Sequence, residues 1–189
     1  MEQQKESKKR KNSKVKGSGF EGTIAKKLTA ALQPLNFMRT PGSGARVGGK
    51  NFDTLGQMLG EDALKVFVGD VVPVNERKEG LKFNHVLECK FYASQDTFTL
   101  LASGSAKLFG WFEEVVVDAA KLDKNPLLIF KWNHTPIFVA LDTMHKHAPR
   151  VAQKPCFSIL TYGDNPRALD IFYLDELLKE QSFWFQPTI

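Results

Sequence analysis

The amino-acid sequence predicts an α/β domain with a central mixed β-sheet flanked by helices. Helical periodicity runs through residues 20–32 and again through 97–121. Short runs rich in β-branched and aromatic residues lie between and after these stretches, at 65–70, 85–91, 127–132, 136–141 and near 171–174. With a short extended piece at 36–39, the order through residue 141 is α-β-β-β-α-β-β, with the extended segment near 171–174 after it, which suits a sheet covered by helices. A chain of 189 residues with 42% hydrophobic content can bury one core of ordinary size, so a single domain with tails is expected.

Residues 1–19 are polar, Lys-rich and punctuated by Gly and Ser, a composition that cannot repay its ordering entropy alone, and they read as a disordered basic tail. From Phe20 onward, Phe20, Ile24, Leu28 and Leu32 recur at helical spacing, Glu21 falls in the first turn and Gln33-Pro34 supplies a stop. Residues 40–49 carry so much Gly, Pro and Ser that an irregular exposed loop is expected, and 53–64 suit a short helix. The charged stretch 75–80 reads as a turn between two strands, the first of them closed by Asp70. The periodicity of 97–121 is interrupted by Gly104 and Gly110, so one long or two broken helices follow. Asn133-His134 separates a hairpin-like pair of strands. The chain divides into a tail at 1–19, a main domain at 20–145 and a C-terminal extension at 146–189 packing on that same domain.

Charge and cysteine content exclude several classes. No run approaches the roughly 18 apolar residues that span a bilayer, and the Lys-rich N-terminus lacks the apolar centre of a signal peptide. A cytoplasmic protein with no membrane role is expected. Cys89 and Cys156 lie far apart with no metal-ligand spacing, which suggests neither a disulfide framework nor a zinc site. The four histidines, His85, His134, His145 and His147, read as ordinary surface or turn residues, and Trp111, Trp132 and Trp184 as core. The net charge is +5, and residues 1–16 hold seven Lys and Arg against Glu2 and Glu6. A second basic stretch, with Lys26, Lys27, Arg39, Arg46 and Lys50 and no acid, runs from Gly22 to Phe52. Such surfaces bind phosphate backbones, because each neutralised phosphate releases counterions. Nucleic acid is the partner this predicts, with a merely solubilising tail as the bland alternative. Lys8-Lys9-Arg10-Lys11 would also serve as a nuclear address in a eukaryotic cell.

The chemistry concentrates in one acid on a helix, Glu21, one acid after a glycine, Asp70, and the triplet Glu88-Cys89-Lys90 on a strand. Side chains alternate along a strand, so Glu88 and Lys90 share a face and Cys89 takes the other. If Asp70 lies on the neighbouring strand, two carboxylates meet over a hard cation, Mg²⁺ or Mn²⁺, whose remaining ligands are waters and phosphate oxygens. Such a cation acidifies water and neutralises charge on a scissile phosphate, and Lys90 would orient the attacking water or stabilise the transition state. An isolated E-x-K triplet is most often a solvated strand face. Here it sits among Val86, Leu87 and Phe91, after Gly69-Asp70, a Gly/Ser loop and an acidic helix, and that combination points to a site.

Gly19-Phe20-Glu21, the run from Arg39 through Thr40-Pro41-Gly42-Ser43-Gly44-Ala45, Gly69-Asp70 and Leu87-Glu88-Cys89-Lys90 resemble, in type and order, the archaeal-type Holliday junction resolvases of the PD-(D/E)XK nucleases. The resemblance covers roughly residues 17–141. It implies a restriction-endonuclease-like core and Mg²⁺-dependent cleavage of four-way DNA junctions, with Mn²⁺ substituting. It assigns catalytic roles to Glu21, Ser43, Asp70, Glu88 and Lys90, and metal binding to Asp70, Glu88 and the backbone carbonyl of Cys89. The Cys89 thiol would be a packed core group. A two-fold dimer is also implied, setting two sites across one junction. Arg39, Arg46, Lys50 and Lys107 are the candidate DNA contacts, with Lys131 as a further extension of that face. The connection between Arg46 and Gly69 is longer than in the compact members, Val68-Gly69-Asp70 stands where Pro-Asp is usual, and the C-terminal extension has no counterpart. Two alternatives stay open: a PD-(D/E)XK nuclease acting on ordinary duplex or on ends, and a non-catalytic DNA-binding protein on the same fold.

Overall fold

A computed structural model of the chain describes residues 13–40, 67–92, 106–145, 151–160 and 167–185, with side chains at all of these except 13–15, 106 and 107. The expected loop at 41–49 and helix at 53–64 lie outside the described residues, as do Ser43, Arg46 and Lys50.

The fold is α/β, a seven-stranded mixed sheet with helices on both faces. Helix α1 spans Ser13–Ala31 and leads into β1 (Phe37–Arg39), β2 (Val71–Pro73) and a four-residue helix α2 (Glu76–Glu79). Strand β3 (His85–Tyr92), helix α3 (Ala106–Leu122), β4 (Asn125–Trp132) and β5 (Phe138–Asp142) follow. β6 (Phe157–Leu160), β7 (Ala168–Tyr173) and the short helices α4 (Leu174–Leu177) and α5 (Gln181–Trp184) end the described chain. The strand order is β1-β2-β3-β4-β5-β7-β6. Only β3 and β4 pair in parallel, through the α3 crossover, and the other neighbours are antiparallel.

Two apolar layers hold this sheet. On one face, the α1 stripe of Phe20, Ile24, Leu28 and Leu32 packs with Leu87, Leu127 and Ile129 and with Leu174, Leu177, Phe183 and Trp184 from the chain's end. On the other, Leu108, Phe112 and Val115 of α3 cover Val86, Leu128, Phe130 and Ala140. Leu127 and Ile129 face α1 while Leu128 and Phe130 face α3, the two-residue alternation of a strand buried on both sides.

Four details depart from the sequence expectations. α1 starts at Ser13, inside the stretch read as disordered. Once Phe20 and Ile24 fix the helix on the sheet, each added residue contributes a hydrogen bond without a new nucleus, so the helix runs on into polar sequence that lacks periodicity. Asp70 does not close a strand but precedes one, because Gly69 has φ +98° and breaks any regular strand through 67–70. The stretch 75–80 is a turn of helix capped by Gly80 in the left-handed region, φ 66°. β6 was not anticipated at all: Phe157 and Ser158 carry no clear alternation, and the strand forms by pairing with β7.

His85 is the fifth correction, since it is buried core and not surface. Its Nε2–H donates to the Phe183 carbonyl at 2.8 Å and its Nδ1 accepts from Asn125 Nδ2 at 2.9 Å, which fixes a neutral tautomer. Burial lowers its pKa to about 3, with the Phe183 hydrogen bond opposing and Lys124 adding to the fall. The ring lies between Phe83, Phe183 and Trp184, fastening the end of the chain to the start of β3. The tryptophans are core as expected, with Trp111, Trp132 and Trp184 all buried. Among the described residues no helix is long and apolar enough to cross a membrane.

Candidate active site

The site forms where β1, β2 and β3 meet, with α1 on one face of the sheet and α3 on the other. Gly69 approaches β3 so closely that a Cβ on it would stand 3.0 Å from the Leu87 carbonyl oxygen and 3.3 Å from the Leu87 nitrogen. This contact and its positive φ leave room for glycine alone. Asp70 follows directly and is clamped on both sides. Its N–H donates to the Leu87 carbonyl at 2.8 Å, and its own carbonyl accepts from Thr40 N–H at 2.9 Å. The Asp70 carboxylate is buried, and Oδ2 accepts the backbone N–H of Cys89 at 2.8 Å.

On β3 the alternation places Glu88 and Lys90 on the α3 face. Lys90 Nζ lies 2.7 Å from Glu88 Oε1 and 2.7 Å from Glu114 Oε2 of α3. Cys89 turns to the α1 face, where its thiol is buried in the first core layer. In an extended strand the N–H and C=O of one residue point toward the same neighbour, so the Cys89 carbonyl lies on the edge that also meets Asp70. Glu21 of α1 forms an ion pair with Arg39 of β1. The ring of the adjacent Phe20 lies 5.6 Å from that of Phe91, which anchors this turn of α1 over β3.

Electrostatics mark the same residues. Burial, and then Asp70's negative charge, push the Glu88 carboxyl up to about 7 against the opposing Lys90 ammonium. The Cys89 thiol is raised well above its ordinary value by burial and then by the charges of Asp70, Glu88 and Glu21, so three carboxylates act on one strand residue. Burial disfavours the Lys90 ammonium, but Glu88 and Glu114 outweigh it and raise its pKa.

The structure therefore brings Asp70 onto the Cys89 backbone and Lys90 onto Glu88, with the charges of Asp70, Glu88 and Glu21 all acting on Cys89. Lys107 lies in the first turn of α3, but its side chain is outside the described residues, as is all of Ser43. Arg39 is partly exposed and engaged with Glu21. Lys131, on β4, pairs with Phe91 in the register and is half-buried. Sequence reasoning missed Glu114, because a lone acid on an amphipathic helix has no spacing that ties it to a strand lysine.

Compared with known families, residues 12–178 match one described as phage putative PDDEXK endonuclease. The chain belongs to that family. Nearly the whole described fold of this PDDEXK nuclease lies inside the matched range, and so do Glu21, Asp70, Glu88 and Lys90. Its mixed sheet between helices agrees with a restriction-endonuclease-like fold. No curated protein and no solved structure gives a significant match to the chain.

Among the described residues of the nuclease, no three His, Cys, Asp or Glu side chains form a ready-made cation cage. The donors present are two carboxylates, Asp70 and Glu88, the first disfavouring the charge of the second, beside the Cys89 backbone. That donor set fits a hard divalent cation, which takes oxygen ligands, relieves carboxylate repulsion and fills its remaining positions with water and substrate oxygens.

Proposed function

We propose that this PDDEXK nuclease is a divalent-metal-dependent, structure-selective DNA endonuclease that hydrolyses phosphodiester bonds at four-way junctions. The observation that carries the proposal is the placement of Asp70, at the entry to β2, against Cys89 of β3, whose neighbours Glu88 and Lys90 pair with each other. Asp70, Glu88 and the Cys89 carbonyl would hold Mg²⁺, or Mn²⁺ in its place. When bound, the cation supplies neutralising charge at the scissile phosphate and a more acidic water.

The chain's own groups do the rest. Lys90 presents an ammonium to a non-bridging phosphate oxygen, where negative charge grows as a water oxygen bonds to phosphorus and the bond to the leaving oxygen breaks. Glu21 holds Arg39 at the rim, from which the guanidinium reaches a neighbouring phosphate. The basic stretch that includes Lys26, Lys27 and Arg39, with Arg46, Lys50 and Lys107, supplies sequence-independent affinity for the backbone.

Junction selectivity, and a two-fold dimer that cuts opposing strands in concert, rest on the resemblance of the Glu21, Arg39–Ala45, Asp70 and Glu88–Lys90 segments to archaeal-type resolvases. The phage description of the family is consistent with viral DNA processing, for which the host cytoplasm would be the setting. The test is Mg²⁺-dependent cleavage of a labelled four-way junction beside a linear duplex of matched sequence. Paired symmetric nicks on the junction alone support a resolvase. Equal cutting of both substrates assigns a general duplex nuclease instead.

A further inference from the structure

Lys90 has two carboxylate partners at the same distance, and only one of them belongs to the E-x-K triplet. Glu88 Oε1 and Glu114 Oε2 each lie 2.7 Å from Nζ. The two partners differ in setting: the Glu88 side chain is 18% exposed and that of Glu114 is 60% exposed. An exposed ion pair of this kind contributes little to folding. Stability is therefore a poor explanation for Glu114, and its effect must lie in where it holds the ammonium.

The delivery of Glu114 is rigid. One turn earlier on α3, Trp111 stacks on Tyr92 with ring centroids 4.7 Å apart and an interplanar angle of 22°. Residues i and i+3 share a helix face, so Trp111 and Glu114 of α3 meet Tyr92 and Lys90 of β3. Glu113, next to Glu114, turns elsewhere and binds Arg167, which also bridges to Asp142. Adjacent acids on α3 thus hold different cations, and Glu114 alone of the two addresses the site.

We infer that Glu114 is a positioning residue that draws the Lys90 ammonium to the α3 side of the site and leaves the Glu88 carboxylate open to a divalent cation. The inference rests on the proposed function. With Glu88 as its sole partner, the ammonium would compete with the cation for one carboxylate. With Glu114 present, it keeps a charge-assisted hydrogen bond while Glu88 turns to the metal.

The experiment is a double-mutant cycle on the full chain, reading Mn²⁺ affinity by direct titration for wild type, Glu114→Gln, Lys90→Met and the double variant, with cleavage of a four-way junction measured for wild type and Glu114→Gln. Glu114→Gln weakens Mn²⁺ binding about 10-fold, as loss of a group that orients a metal ligand typically does. In the Lys90→Met background the same change has less than about a twofold effect, because the competitor is gone and the exposed charge is screened. An equal loss in both backgrounds overturns the inference and makes Glu114 a direct ligand. Unchanged affinity and cleavage in Glu114→Gln overturn it alone. A wild type that neither binds Mn²⁺ nor cuts overturns both the inference and the nuclease reading.

Discussion

The Cys89 backbone N–H donates to Asp70 Oδ2 across 2.8 Å, so the middle residue of the E-x-K triplet reaches through its main chain to the acid that immediately precedes the neighbouring strand. This bond sets the two halves of the site in register. Glu88 and Lys90 leave β3 on one side of Cys89's peptide groups, and Asp70 sits at the edge those groups face. The side chain of residue 89 is free to serve the core because its backbone serves the site.

Gly69 is what allows that edge to close. Gly69→Ala introduces left-handed strain of about 1–2 kcal/mol and pushes a methyl onto the Leu87 backbone at 3.0 Å. We expect urea unfolding to show at least that loss. Cleavage should fall further than stability explains, since Asp70 must shift with residue 69.

Glu88 is kept at a cost to stability. Its folded pKa of about 7 lies above the ordinary glutamate value of 4.5. The group therefore contributes stability below its unfolded pKa and loses it as pH rises through 7. Glu88→Gln should raise the stability of metal-free protein at pH 8 by about 1–2 kcal/mol, by less near pH 5, and abolish cleavage. Denaturation at the two pH values checks the sign.

His85 acts in the opposite pH direction. Its folded pKa of about 3 lies below the ordinary imidazole value of 6.5, so its contribution is complete above pH 6.5 and is lost progressively toward pH 3. Unfolding free energy should fall by about 1 kcal/mol per pH unit from this group between pH 6 and 4. His85→Asn should be less stable at pH 7 and lack that part of the slope.

Trp184 closes the α1 face from the far end of the chain. It is fully buried, and its Nε1–H donates to the Leu177 carbonyl at 2.9 Å. Trp184→Ala should cost about 3–5 kcal/mol, with the loss visible in thermal unfolding. Removal of the segment from Gln181 onward should do at least as much, because His85 then loses its Phe183 partner as well.

Much of this was legible because burial writes itself into local pattern. The Phe20-Ile24-Leu28-Leu32 stripe announced α1, and the β-branched and aromatic runs announced β3 and β4 within two residues. Glu88 and Lys90 share a face by strand geometry alone, and the 2.7 Å bridge between them follows. What stayed hidden depends on partners distant in sequence. His85 looks like any histidine until Asn125 and Phe183 arrive to satisfy both ring nitrogens. Glu114 has no local signature, since its partner Lys90 is brought to it by the α3 crossover. β6 depends on β7 for its existence, and the start of α1 depends on an anchor downstream of it.

The central claim is that Asp70, Glu88 and Lys90 form one metal-dependent hydrolytic site. The most direct measurement is single-turnover cleavage of a labelled DNA four-way junction, with and without Mg²⁺, by wild type, Asp70→Asn and Lys90→Ala, each first shown to be folded. One metal-dependent site requires Mg²⁺-dependent cutting by wild type and a loss of about 100-fold or more in each variant, the scale of a removed transition-state group. Undiminished cutting by the folded variants would contradict it.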